Sequence, residues 1–231
     1  DQAQNAPVDA GTKDASKAEA PDADDGLVAV SGKLLDGQNG APVAASINWA
    51  GRIATTSATG DYNVRVRPGV AATPTTAATG YVQMSFQEVI VTGPSYFGAL
   101  ALISTSASSL LQMIYLPGYS AQKGVLVVQL SALPSCASTA GATLSVSPAG
   151  SSKVVYFKGG LPDASLAGVV ANEEPSALLY DVDPNVALTL TVASPTCTQA
   201  PYPVTESTVT YTGAMQVAPG DQTTFARAFL R

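Results

Sequence analysis

The stretch 41–69, APVAASINWAGRIATTSATGDYNVRVRPG, restricts what this chain can fold into more than any other, because its polarity repeats every second residue. Val43, Ala45, Ile47 and Trp49 share one parity, and Tyr62, Val64 and Val66 alternate with Asn63, Arg65 and Arg67. A period of two puts one face in a core and the other in water, which describes a strand and not a helix. Ala58-Thr59-Gly60-Asp61 supplies a turn with glycine where positive φ is required. Pro68-Gly69 then stops the run, since proline has no N–H for a ladder. The stretch is read as an antiparallel β-hairpin with a rigid turn.

The rest of the chain is organised around it. Residues 27–35 form a first strand and 36–40 a turn, while residues 70–81 and 82–91 add strands that close a module at 92. Residues 1–26 hold almost no large apolar side chain, so they cannot offset their ordering entropy and are read as an extended acidic, Ala-rich tail. Asp22, Asp24 and Asp25 lack the spacing and glutamate of a calcium loop. In 93–123 the texture changes. Leu100, Leu102, Ile103, Leu110, Leu111, Met113 and Ile114 fit helical stripes, with Ser104, Thr105 and Ser106 as N-caps, so one or two buried connecting helices are predicted. No charge occurs between Glu88 and Lys123, yet a Ser/Thr cluster interrupts the apolar window and prolines bound it, which argues against a membrane span.

Residues 124–231 return to strand patterns and repeat the rhythm of 27–92. Gly32-Lys-Leu-Leu matches Gly124-Val-Leu-Val, Tyr62-Asn-Val-Arg-Val matches Tyr180-Asp-Val, and the threonine-rich run from Val70 matches that from Val186. A duplicated module is the simplest account.

Absences limit the chemistry. The chain has 231 residues, a net charge of -6 and no histidine. Without histidine, Ser-His and Cys-His nucleophiles and histidine metal sites are excluded, and the acidic balance disfavours nucleic acid. Cys136 and Cys197, each near proline and serine at predicted strand edges, are expected to form a disulfide, with two buried thiols as the alternative. A disulfide argues for an oxidising compartment. With no n-region or h-region at its start, the sequence is read as a mature exported form.

The order glycine-strand, turn, APVAASI, threonine-rich turn, TGDYNVRVRPG, strand, ATGY resembles the carboxypeptidase regulatory-like domain, a transthyretin-like β-sandwich found in secreted bacterial proteins. The resemblance covers 30–81 and returns in 124–231 through GATLSVSPAG and ALLYDVDPN. It implies a mainly β chain of two tandem transthyretin-like or Ig-like β-sandwich domains, 27–92 and 124–231, joined by a short helical connector. The tail also looks like the spacer of bacterial surface lipoproteins, without their acylated cysteine. A transthyretin-like hydroxyisourate hydrolase uses histidines and a C-terminal Tyr-Arg-Gly-Ser; this chain has neither.

Other candidates are weaker. Ser151-Ser152-Lys153 reads as a hairpin tip, Glu173 and Glu174 point opposite ways in an extended chain, and Lys33 is the one lysine placed for an isopeptide bond. Among Trp49, Tyr62, Tyr81, Tyr115, Tyr119, Tyr156 and Tyr202, Trp49 near a loop is the candidate ligand contact. No catalytic residue, metal or cofactor is expected. The predicted role is a non-catalytic extracellular, cell-surface or periplasmic structural or adhesive protein, with a protein partner or self-association through edge strands or the tail. Carbohydrate or ligand binding is the alternative.

Overall fold

The computed structural model describes residues 26–173, 175–220 and 222–231. The expected tail before Gly26, with Asp22, Asp24 and Asp25, and also Glu174, lie outside the described residues. Within them the chain is mainly β. The first half forms β1 (Val28–Asp36), β2 (Ser46–Trp49), β3 (Arg52–Thr55), β4 (Asp61–Val66), β5 (Ala71–Ala72), β6 (Thr75–Ala77), β7 (Met84–Phe86), β8 (Val89–Val91) and β9 (Ser95–Leu102), followed by α1 (Thr105–Tyr115). The second forms β10 (Gly124–Ala132), β11 (Thr143–Ser147), β12 (Lys153–Lys158), β13 (Leu161–Asp163), β14 (Ser176–Val182), β15 (Ala187–Ala193), β16 (Val204–Glu206), β17 (Val209–Tyr211), β18 (Met215–Gln216) and β19 (Thr223–Leu230).

Pairing follows one scheme twice. β1 lies between antiparallel β4 and parallel β9, while β2, β6 and β7 make an antiparallel sheet with β3 beside β2. Likewise β10 lies between antiparallel β14 and parallel β19, while β15 joins β11 to β18. The sequence correspondences fall on equivalent strands: the Tyr62 run on β4, the Tyr180 run on β14. Alternation then explains the cores. Val30, Leu34 and Val64 meet Ile47, Trp49 and Met84 in the first, and Leu126, Leu179 and Ala228 meet Leu144, Val146 and Leu190 in the second. Each fully buried side chain of this size is worth roughly 1.5–3 kcal/mol over exposure.

The two sandwiches are fused. β19 pairs in parallel with β7 as well as with β10, so one sheet of each half merges into a nine-stranded sheet ordered β13-β12-β14-β10-β19-β7-β6-β2-β3. β19 is almost wholly buried, as a strand with parallel neighbours on both sides should be. The β16–β17 hairpin adds a second link, pairing with β8 and placing Val209 in the first core.

Two local expectations are corrected. In stretch 41–69 the antiparallel ladder joins β2 to β3, but β4 crosses to the opposite sheet and pairs with β1. Gly60 makes the crossing: its φ is +78°, Leu34 donates its N–H to the Gly60 carbonyl at 2.9 Å, and a Cβ there would lie 2.7 Å from the Leu34 carbonyl oxygen. In the connector only Thr105–Tyr115 is helical, N-capped by Ser104, whose Oγ accepts from the Ala107 N–H at 3.2 Å. The segment read as its first helical part is β9, and α1 buries only Ala107, leaving Leu110, Met113 and Ile114 exposed. Within β9 Leu100 and Leu102 alternate with exposed Ala99 and Ala101, and Ile103, just past the strand's end, gave the trio its helix-like spacing. β9 also carries a bulge: Ser31 pairs with Tyr96 and Lys33 with Ala99, and Gly98, at φ +82°, lies between. Among the described residues no helix is long and apolar enough to cross a membrane.

Acid dependence follows from three carboxylates. Asp36 accepts from the Tyr81 hydroxyl at 2.8 Å and from the Gln38 N–H at 2.8 Å, and these bonds, the tyrosine's first, hold it below the usual carboxylate range. Asp61 is lowered by Lys33 and then Thr59, and Asp163 by Ser165. Because the folded chain holds these protons less tightly than the unfolded one, their stabilisation is complete above the ordinary value of 3.8 and is lost as pH falls through the lowered values. Urea titrations should show stability flat from about pH 6 to 8, where there is no histidine to titrate, and falling below about pH 4. Asp36→Asn should lower stability at neutral pH and make that acid fall shallower. An unchanged acid slope would contradict the assignment.

Candidate functional site

β19 alternates with period two, so Phe225, Arg227 and Phe229 share the face opposite Ala226, Ala228 and Leu230. The second set enters the second core; Phe229 enters a small cluster with Ala200 and Val204, and Phe225 packs 5.9 Å from Phe86 of the first half. Arg227 is thereby held between two aromatic groups at the junction.

Its surroundings are polar and ordered. The guanidinium pairs with Glu206, donates to the Tyr211 hydroxyl at 3.2 Å and to Gln129 Oε1 at 3.4 Å, and lies 5.6 Å from the Tyr211 ring centroid. The Arg227 N–H donates to Gln87 Oε1, and its carbonyl accepts from the Tyr202 hydroxyl. Burial pushes the Tyr202 phenol up to about 12 and also raises Tyr211, so both stay neutral, Tyr202 donating to the Arg227 carbonyl and Tyr211 accepting from its guanidinium.

Over this network runs a groove of about 600 Å³, with Ser95, Tyr96, Phe97 and Gly98 on one wall and Glu206, Ser207, Thr208, Tyr211 and Arg227 on the other. The lining segments are cross-linked: the Ser95 and Thr208 hydroxyls lie 2.7 Å apart, Thr208 donates to the Pro94 carbonyl at 3.1 Å, and the Thr92 N–H donates to the Thr208 carbonyl at 2.9 Å. Tyr96, also lining the groove, is 66% exposed.

The residues singled out from sequence lie elsewhere. Cys136 and Cys197 are joined by a disulfide. Trp49, the candidate ligand contact, is only 2% exposed and packs edge-on to Phe97 at 5.1 Å, so its indole serves the core. It reaches the surface only as one wall of a depression of about 160 Å³. Tyr62 and Tyr156 are buried, and the Tyr81, Tyr119 and Tyr202 hydroxyls donate to Asp36, Gly220 and Arg227, so these rings form no exposed row. Lys33 makes an exposed cross-strand ion pair with Asp61 at 2.8 Å. Ser151 donates to the Asp181 carbonyl, Lys153 pairs with the buried Asp181 at 3.1 Å, and Glu173 accepts from the Gly159 N–H. Among the described residues no three His, Cys, Asp or Glu side chains cluster as metal ligands. Sequence reasoning missed Tyr96, Glu206, Tyr211 and Arg227; the one local signal was Gly98 interrupting an otherwise regular strand.

No family model matches the chain, and no curated protein does. Among solved structures, a type II cohesin–X-dockerin complex from Acetivibrio cellulolyticus is similar at 16% identity over 33% of this chain and 56% of that one, TM-score 0.29. The Bacillus anthracis TIE protein is similar at 12% identity over 89% of this chain and 34% of that one, TM-score 0.29, and a streptococcal ancillary pilin at 12% over 90% and 64%, TM-score 0.26. This chain thus spans about half or less of the length of the first two. Similarity at this level carries no inference about function.

Proposed function

We propose that this chain is a non-catalytic, load-bearing structural or adhesive element displayed outside the cytoplasm, built from two copies of a carboxypeptidase regulatory-like module, 27–92 and 124–231, fused at their sheets. The carrying observation is that the opening strand of each half is in parallel register with a later one: β1 with β9, which follows 27–92, and β10 with β19, the last strand of 124–231. Tension between the ends then slides β10 along β19 across the whole register from Val125↔Thr223 to Ala132↔Leu230. Bonds loaded in this way share the force and break together, whereas an antiparallel pair pulled from one end opens bond by bond. The disulfide fits an oxidising, extracytoplasmic setting. The acidic surface favours protein or carbohydrate partners over nucleic acid.

Single-molecule pulling tests this reading. Force applied through residues 26 and 231 should give rupture several-fold higher than force applied through residues 123 and 183, which flank one end of the antiparallel β10–β14 pair. Equal rupture forces in the two geometries would remove the load-bearing role.

A further inference from the structure

We propose that the junction groove is a binding site for a neutral carbohydrate of one or two pyranose rings, a function beyond load bearing and independent of it. The volume comes first: about 600 Å³ falls within the range of small-ligand sites, and the two lining segments are fastened to each other by the Ser95–Thr208–Pro94 hydrogen bonds. The site is therefore formed before a ligand arrives, which lowers the ordering cost of binding.

The lining chemistry selects the class. A pyranose has an apolar C–H face and a rim of hydroxyls, each both donor and acceptor. Tyr96 offers an exposed ring for the face, while the ring of Phe97, next in sequence, packs behind it against Trp49 and Phe86 in the first core. Arg227 supplies donors and Glu206 acceptors, with side chains 34% and 40% exposed, and Ser207 and Thr208 add hydroxyls on the same wall. Because Arg227 and Glu206 already neutralise one another, the pair presents no net charge to attract an anionic or cationic ligand. A polyol bonds to the outer edges of both and leaves the pair intact.

Backbone geometry agrees. Gly98 at φ +82° and Ser207 at φ +55° both line the groove, one in the bulge that follows Tyr96 and the other at the left-handed corner between β16 and β17. Such positions concentrate where side chains must be aimed rather than merely packed.

The test is isothermal titration of the whole chain with methyl glycosides and disaccharides of glucose, galactose, mannose and N-acetylglucosamine, and of glucuronic acid as the charged counterpart. A neutral saccharide should bind, Tyr96→Ala should weaken it at least roughly tenfold, and Glu206→Gln should weaken it while leaving the thermal midpoint nearly unchanged. Ile53→Ser, on the distant edge strand β3, should leave affinity unaltered. Failure of every neutral saccharide, binding confined to the glucuronide, or wild-type affinity in a folded Tyr96→Ala variant would each overturn the proposal. None of these outcomes bears on rupture force, so the load-bearing reading is judged separately.

Discussion

Trp49→Ala is expected to lower stability by about 3–5 kcal/mol and the thermal midpoint by roughly 6–20 °C, measured by far-UV circular dichroism. The side chain is 2% exposed in the first core, and its removal leaves a cavity that β2 cannot close, because β3 and β6 hold it on both sides. More than one core is affected. The rings run from Trp49 to Phe97 at 5.1 Å, Phe97 to Phe86 at 6.5 Å, and Phe86 to Phe225 at 5.9 Å, which leads from the first sandwich onto β19 of the second. Phe97 is also a wall of the groove. The variant should therefore unfold in one transition at the lower temperature and bind saccharide more weakly although Trp49 touches none. Two separated transitions, with the second half melting at the wild-type midpoint, would show that the shared sheet does not couple the halves.

Strand identity was legible wherever burial alternates without interruption. The pattern of Tyr62, Val64 and Val66 against Asn63, Arg65 and Arg67 matches β4, whose apolar residues are buried and polar ones exposed. Alternation fails as a guide where a strand ends on an extra apolar residue, which is why Leu100, Leu102 and Ile103 looked helical at the end of β9, and the helix that does form was legible from its serine cap and from the spacing of Leu110, Met113 and Ile114, although that stripe is exposed. The matched Gly32 and Gly124 runs both lie on strands with one antiparallel and one parallel neighbour, β1 and β10. Fusion of the halves was not legible, since β7 and β19 are joined through backbone groups that every residue carries; the side-chain element of that weld, the buried Ser85–Thr224 hydroxyl contact at 2.9 Å, joins positions 139 apart. The groove failed for a related reason. Tyr96, Glu206 and Arg227 come from three strands of two halves, and no local spacing relates them. Trp49 was read as a ligand contact because it precedes a loop, but its parity with Ile47 already placed it on the inward face.

Removal of the disulfide by Cys136→Ala with Cys197→Ala should cost about 4 kcal/mol in the chain-entropy account, since the bond closes a separation of 61 residues. Its position adds a second effect. Just before Cys136, Leu133 donates its N–H to the Leu230 carbonyl, and just after Cys197, Thr198 and Arg231 exchange N–H···O bonds, so the linked segments grip the end of β19 where terminal load is applied. Two measurements separate these contributions. Loss of the entropic constraint on the unfolded chain lowers the refolding rate, whereas loss of the grip raises the unfolding rate, so a change in both is expected. Under force the bond also shields residues 137–196 from extension, and the double variant should release about 200 Å more contour length than the oxidised chain. Unfolding rates that match with and without the bond would assign its effect to the unfolded chain alone. Equal contour lengths would mean that the load never passes through this loop, which is incompatible with a path running from β10 into β19.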